Sequence, residues 1–227
     1  MTHPTSAPGV PPGEDEPWSL SLVVRVERDP LPAHTDVLVA AARAVVLLLT
    51  DERTTTPGGE FADAVAAWRG RRIRKITRRA RGVKWERTAA LAHVEACSGD
   101  AAVRAFAPHP RDAVPELLRP LQVGGLDLPD PEGAGAPPAV QGALTIRLCP
   151  DVAMSTGKAA AQVGHAAQLA WERLPAALTS PWATGGFSVR VLTGAPVLPA
   201  GARVDVRDGG FTEVPPGTVT ASAGFED

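Results

Sequence analysis

Cysteine is scarce: Cys97 and Cys149 are the only two in 227 residues. Two are too few for a disulfide framework, and they have no metal-ligand spacing, so a reducing, cytoplasmic setting is expected. The histidines His3, His34, His93, His109 and His165 show no zinc spacing either; neither a metal nor another cofactor is expected. The longest apolar run, residues 37–49, is interrupted by Arg43 and falls short of the roughly 18 residues that suggest a membrane span. No membrane partner is expected. Residues 1–17 are rich in Pro, Thr, Gly and acid and have no apolar core, which excludes a secretory signal and reads as a disordered tail. Gly-x-Ser-x-Gly is missing, so an acyl-serine hydrolase has no support. Thr156-Gly157-Lys158 fails as a phosphate loop, because Val152 stands at the first glycine position and Ala159 where Ser or Thr is needed.

What is present is unevenly charged. The net charge is −2, yet residues 68–87 hold ten Lys or Arg against the single acid Glu86. The remainder is therefore strongly acidic, and bulk charge does not indicate nucleic acid. Local charge does: Arg69, Arg71, Arg72, Arg74, Lys75, Arg78 and Arg79 can neutralise a run of phosphates, which gives salt-dependent binding. The competing reading is a solvated strand and loop that balances an acidic protein.

Strand and helix patterns alternate along the chain, which implies an α/β fold with helices packed on a mixed sheet. Residues 20–26 form a β-branched strand, and His34-Thr35-Asp36 offers caps for an Ala- and Val-rich helix to about Leu49. Residues 72–80 are expected as a strand, 84–97 as a helix, 101–107 as a strand, and 111–123 as a helix disturbed by Pro115 and Pro120. Further on, 144–148, 187–192, 202–206 and 218–223 read as strands, with a helix after Ser155-Thr156. At a constant shift of 122 positions the two ends superpose without gaps, with Ile146 on Val24, Arg147 on Arg25, Asp151 on Asp29 and Ala166 on Ala44. Two related α/β halves are expected: 1–17 a tail, 18–129 a degenerate copy, 130–141 a linker and 142–227 the half that carries the motifs.

Those motifs are two. Gly157, Lys158, Gln162, His165 and Ala166 form Gly-Lys-x-x-x-Gln-x-x-His-Ala; spacings of four and three put Lys158, Gln162 and His165 within about 60° on one helix face. Asp208, Gly210, Thr212, Gly217, Thr218 and Thr220 form Asp-x-Gly-x-Thr-x-x-x-x-Gly-Thr-x-Thr. Together they resemble the signature of the archaeal and eukaryotic type of peptidyl-tRNA hydrolase, over about residues 142–224. Gly209 stands where that family usually has Ala. Residues 193–201 are too short and proline-broken for the helix that members ordinarily carry before the Asp-bearing strand.

The resemblance implies hydrolysis of the ester between a peptide and the 3′-terminal ribose of tRNA, by water. Asp208 would orient or deprotonate that water, Lys158 would stabilise the oxyanion or a neighbouring phosphate, and Thr212 and Thr218 would contact water and ester. The sequence does not decide which of these acts chemically. Gln162 and His165 fit supporting roles, Gln162 as a clamp on the Asp208 strand. At the 122-residue shift Lys158 falls on Asp36, Gln162 on Ala40 and His165 on Arg43, so the first half lacks the set. It would mimic a partner subunit, as an internal pseudo-dimer or alongside a homodimer. The rival is an inactive RNA-binding relative of the same fold.

Overall fold

A computed structural model describes residues 17–69, 74–194, 202–207, 215 and 217–226. β1 (Trp18–Arg25) leads into α1 (His34–Thr50), the short helices α2 (Glu52–Thr55) and α3 (Ala62–Arg69), and β2 (Arg74–Ala80). Next come α4 (Val83–Thr88), β3 (His93–Ser98), β4 (Ala101–Phe106) and the two-residue strands β5 (His109–Pro110) and β6 (Gln122–Val123). The second half follows with β7 (Leu144–Leu148), α5 (Thr156–Arg173), α6 (Ala176–Thr184), β8 (Val189–Leu192), β9 (Arg203–Arg207) and β10 (Val219–Phe225).

Two mixed sheets result. The first has the order β3-β4-β1-β2-β6, with β5 paired to β1; the second has the order β8-β7-β10-β9. β1 and β2 are parallel and β4 runs against both β1 and β3. Likewise β7 and β8 are parallel and β10 runs against both β7 and β9. Each half is thus a strand, a helix, a parallel strand and then an antiparallel pair on the far side of the first strand. The α/β class with mixed sheets and packed helices is as expected.

The two long helices lie side by side between the sheets. Their first residues touch, His34 Nδ1 and Thr156 Oγ1 standing 2.8 Å apart. Further along, a Cβ added to Gly164 would sit 3.0 Å from Val45. The helices therefore run parallel, and the missing side chain lets them approach closely. Because each helix returns antiparallel to the strand before it, the carboxyl ends of the parallel strands in both sheets face the same end of the molecule. A single core joins the halves: Leu20, Leu22 and Val24 of β1, Val37 and Val45 of α1, Val163 and Ala167 of α5, and Leu144 and Ile146 of β7 belong to it. Burying such side chains supplies about 1.5–3 kcal/mol each.

The faces turned away from the helices differ. Val23, Ala80, Trp85, Ala102, Phe106, Leu118 and Leu121 build a second small core outside the first sheet. Outside the second sheet lies a polar ladder, in which Glu226 pairs with Arg147 and Arg190, and Ser222 donates to Asp205. Antiparallel pairing tolerates one wet face.

Several local expectations are corrected. Residues 84–97 are not one helix: α4 stops at Thr88, and β3 follows. Residues 111–123 hold no α-helix; Pro115 and Pro120 remove amide donors and crowd a helical turn, and the segment plugs the outer face with Leu118 and Leu121. The cap of α1 is not its own His34-Thr35-Asp36. Asp130, at the start of the expected linker, accepts from the Thr35 amide at 2.7 Å and the Thr35 hydroxyl at 2.8 Å. Of the expected tail, only Pro17 lies within the described residues, and residues 195–201, read as too short and proline-broken for a helix, lie outside them.

Candidate functional site

Ser155 begins the motif-bearing helix as its N-cap, its hydroxyl accepting from the Lys158 amide, which satisfies one of the four orphan donors of a helix start. This turn lies at the carboxyl end of β7, since α5 runs back along the sheet. β9 ends at that same end with Arg207, and β10 starts there: Val219 pairs with Arg207, whose guanidinium donates to the Gly217 carbonyl. Arg207 and Gly217 therefore both lie at the end of the sheet where Lys158 stands. Asp208 and Thr212 fall between them in sequence and lie outside the described residues. Lys158 and Thr218 are described, both half-buried. Ligands of open α/β sheets gather outside the carboxyl ends of parallel strands.

Gln162 is buried one turn further in, and its Oε1 accepts from the Thr220 hydroxyl at 2.9 Å. Thr220 Oγ1 also stands 3.4 Å from the Val206 carbonyl on β9. Through Thr220 this contact joins α5 to β9, the strand that precedes Asp208.

His165 faces elsewhere. Its Nδ1 is 3.1 Å from Lys75 Nζ on the first sheet, and that amine donates to Gln168 Oε1 at 2.6 Å. Gln168 Nε2 donates on to Glu172, which pairs with Arg69. Burial, then the Lys75 charge, then that of Lys158 hold the His165 pKa well below its ordinary value, so the ring is neutral. The polar face expected on one helix is therefore divided: Gln162 serves its own sheet, and His165 joins α5 to the other half.

The basic window is divided as well, and part of the expected tRNA surface is corrected. Lys75 pairs in register with Leu20, whose side chain faces the helix layer; Arg78 pairs with Val23, which faces the outer core. Strand alternation sends them to opposite faces, and both faces are covered. Lys75 is 8% exposed and Arg78 6%, so neither can meet a phosphate. Burial lowers the Lys75 pKa to about 7, with Glu172 opposing. Arg78 donates to the Leu121 carbonyl. Arg79 donates to the Gly125 carbonyl and to Gln122 Oε1, and Arg69 is held by Glu172. Arg74 is half-buried, while Arg71 and Arg72 lie outside the described residues. Among the described residues, the exposed basic residues of the window are Arg69, Arg81, Lys84 and Arg87. The last three follow the carboxyl end of β2, on the same end of the molecule as Lys158.

Sequence reasoning missed a cleft of about 130 Å³ beside the first turn of α5. Leu148 and Cys149 at the end of β7, Met154 before the helix, Ala159 within it, and Thr193 and Gly194 after β8 line it, together with His34 of α1. It takes Ala159 rather than Lys158 from the motif, so it lies beside the Lys158 side of the helix. Position was the one signal in the sequence for His34: it opens α1 as Thr156 opens α5, at the same shift of 122.

Among the described residues no cluster of His, Cys, Asp and Glu is arranged to hold a metal ion, and no helix is long and apolar enough to cross a membrane. Comparison with protein-family models, with curated proteins and with solved structures found no match to this chain.

Proposed function

We propose that this chain is a peptidyl-tRNA hydrolase of the archaeal and eukaryotic type, acting through one site in its second half. The first half is a degenerate copy that stands where a partner subunit would. One observation carries the reading. Arg207, the residue before Asp208, and Thr218 both lie at the end of the sheet where α5 presents Lys158, which supports reading two motifs about fifty residues apart in sequence as one site.

In this reading Asp208 orients a water and takes its proton as the water adds to the ester carbonyl carbon, Lys158 stabilises the oxyanion that forms on the carbonyl oxygen, and the threonine hydroxyls hold water and ester in line. Collapse of the intermediate breaks the bond to the ribose 3′ oxygen, which leaves with the proton that Asp208 took. General-base assistance contributes typically 10²–10⁴-fold, and one oxyanion donor on the order of 10²–10³-fold. Phosphate contacts fall to Arg81, Lys84 and Arg87 rather than to the β2 side chains.

The test is peptide release from N-blocked peptidyl-tRNA by the purified chain, with and without chelator, beside release from a free N-acyl amino ester. Turnover of peptidyl-tRNA that survives chelation is expected. Binding of the tRNA with no release at micromolar enzyme would replace the hydrolase by an inactive RNA-binding relative. Equal turnover of the free ester would make tRNA incidental.

A further inference from the structure

His34 belongs to the half without the motif, yet it lines the cleft beside the motif helix. Its ring is fixed by hydrogen-bond accounting. The Thr156 side chain is fully buried and its Oγ1 already accepts from the Leu128 amide at 2.9 Å. The hydroxyl proton then needs an acceptor, and His34 Nδ1 at 2.8 Å is the one the described residues supply. A buried hydroxyl left without an acceptor is costly. Nδ1 therefore accepts, and the ring proton sits on Nε2. No protein group among the described residues takes up Nε2, and it is not among the buried atoms left without a partner. Burial holds the His34 pKa below its ordinary value, opposed by Asp130 and Asp127, so the neutral tautomer persists at pH 7.

Leu148, Pro150, Val152, Met154 and Ala159 supply apolar walls, and Cys149, Thr193 and Gly194 complete the lining. A volume of about 130 Å³ is well under the roughly 300 Å³ of a cleft that takes a whole small ligand. It has room for one aliphatic side chain of a larger substrate, with the His34 Nε2–H on its wall.

We propose that the cleft is a subsite for an apolar side chain of the substrate's peptide, and that His34 Nε2–H donates to a backbone carbonyl beside that side chain. The first half thereby contributes a substrate-binding residue to the second half's site. The assignment rests on the hydrolase reading for the identity of the substrate, while the cleft can be tested without turnover.

N-acetyl-leucinamide is titrated into the ¹⁵N-labelled full chain and followed by NMR. Saturable shifts at His34, Ala159 and Gly194 are expected, with the His34 ring in the Nε2–H form. His34→Ala should weaken binding about three- to tenfold, the range of one neutral hydrogen bond. His34→Gln, which can both accept from Thr156 and donate, should restore most of it. Met154→Ala leaves His34 in place and widens the cleft, so it should shift preference toward N-acetyl-phenylalaninamide. With peptidyl-tRNA, His34→Ala should raise KM by the same factor and leave kcat within about twofold. No saturable shift at the cleft, or equal affinity in wild type and folded His34→Ala, overturns the subsite. Binding with the expected variant pattern in a protein that releases no peptide overturns the hydrolase reading and leaves the subsite standing.

Discussion

Replacing Lys75 by Met keeps the aliphatic stem and removes the amine, and the consequence is a changed slope of stability against pH. Unfolded, the amine titrates near its ordinary 10.5; folded, burial between β2 and α5 brings it to about 7. The folded pKa is depressed, so between these values the unfolded chain holds the proton more tightly than the native state. Stability therefore rises as pH climbs through this window and levels off below pH 7, where both states are charged. From pH 7 to pH 9 the gain is about 2 kcal/mol, at 1.36 kcal/mol per pKa unit. For a chain of this size that is a rise in Tm of roughly 4–8 °C. Lys75→Met should erase this slope. Its stability at pH 7 is the balance of two terms: relief of about 4 kcal/mol from the confined amine, against about 1–3 kcal/mol for each of Gln168 Oε1 and His165 Nδ1 losing a partner. Only the slope is a sharp expectation. Urea unfolding of both proteins at pH 6, 7, 8 and 9 measures it, and subtraction cancels whatever is common to both. Parallel curves would refute the argument, showing that the amine reaches water. Lys75→Arg is the converse control. A guanidinium keeps its charge throughout, so this variant should be destabilised at every pH.

Asp130→Ala should cost about 1 kcal/mol, measured by thermal unfolding, because the start of α1 loses the carboxylate that accepts from the Thr35 amide. Replacing Arg81, Lys84 and Arg87 together by Ala should weaken tRNA binding and flatten its salt dependence, by about 0.7–0.9 in the log–log slope for every phosphate no longer neutralised; an unchanged slope would put the tRNA elsewhere. Asp208→Asn should cut turnover of peptidyl-tRNA at least a hundredfold with little change in tRNA affinity. Reduced affinity with unchanged turnover at saturation would make it a structural partner instead.

The elements that could be read from sequence are those whose pattern is set locally. β1, β4 and β7 are β-branched or apolar runs broken by turn residues, and Ser155 before a small-residue helix is a local cap. β3 was obscured because its inward Ala96 stands between the exposed Glu95 and Cys97, in a stretch whose Ala and Val content also satisfies helical spacing. The burial of Lys75 could not be read, since it depends on Gly164. A Cβ there would sit 3.1 Å from the lysine stem, which would have to give by a few tenths of an ångström, and that close contact is made by a helix in the other half. His34 was hidden for the same reason. Its function depends on which residue meets it across the helix pair, and the pairing of α1 with α5 is a tertiary fact. The cap on α1 likewise comes from residue 130, across nearly a hundred positions of chain.

Residues 126–130 also bear on why one site is expected rather than two. The Leu126 carbonyl accepts from the Gly157 amide and the Leu128 amide donates to Thr156, while the Pro129 carbonyl accepts from the His34 amide and the Asp130 carboxylate from Thr35. One short stretch thus serves both helix starts, but unequally. At α1 a carboxylate meets the positive end of the helix dipole, and Asp36 adds a second in the first turn. At α5 the partners that this stretch supplies are the neutral Leu126 carbonyl and Leu128 amide, the first turn holds no acid, and Lys158 stands where the shift places Asp36. Negative charge that develops on a substrate would be favoured at α5, by up to about 2 kcal/mol from the dipole alone in partly buried geometry, and opposed at α1 by the two carboxylates already there. Asp36 has a separate role, since its Oδ1 accepts from the Ser98 hydroxyl at 2.7 Å and ties α1 to β3. Lys158→Ala should therefore cut turnover a hundredfold or more, whereas Asp36→Ala should lower stability and leave turnover per folded molecule within about twofold. Single-turnover kinetics on both variants, normalised to the folded fraction, decides the matter. Comparable losses from the two would mean that the first half carries chemistry of its own.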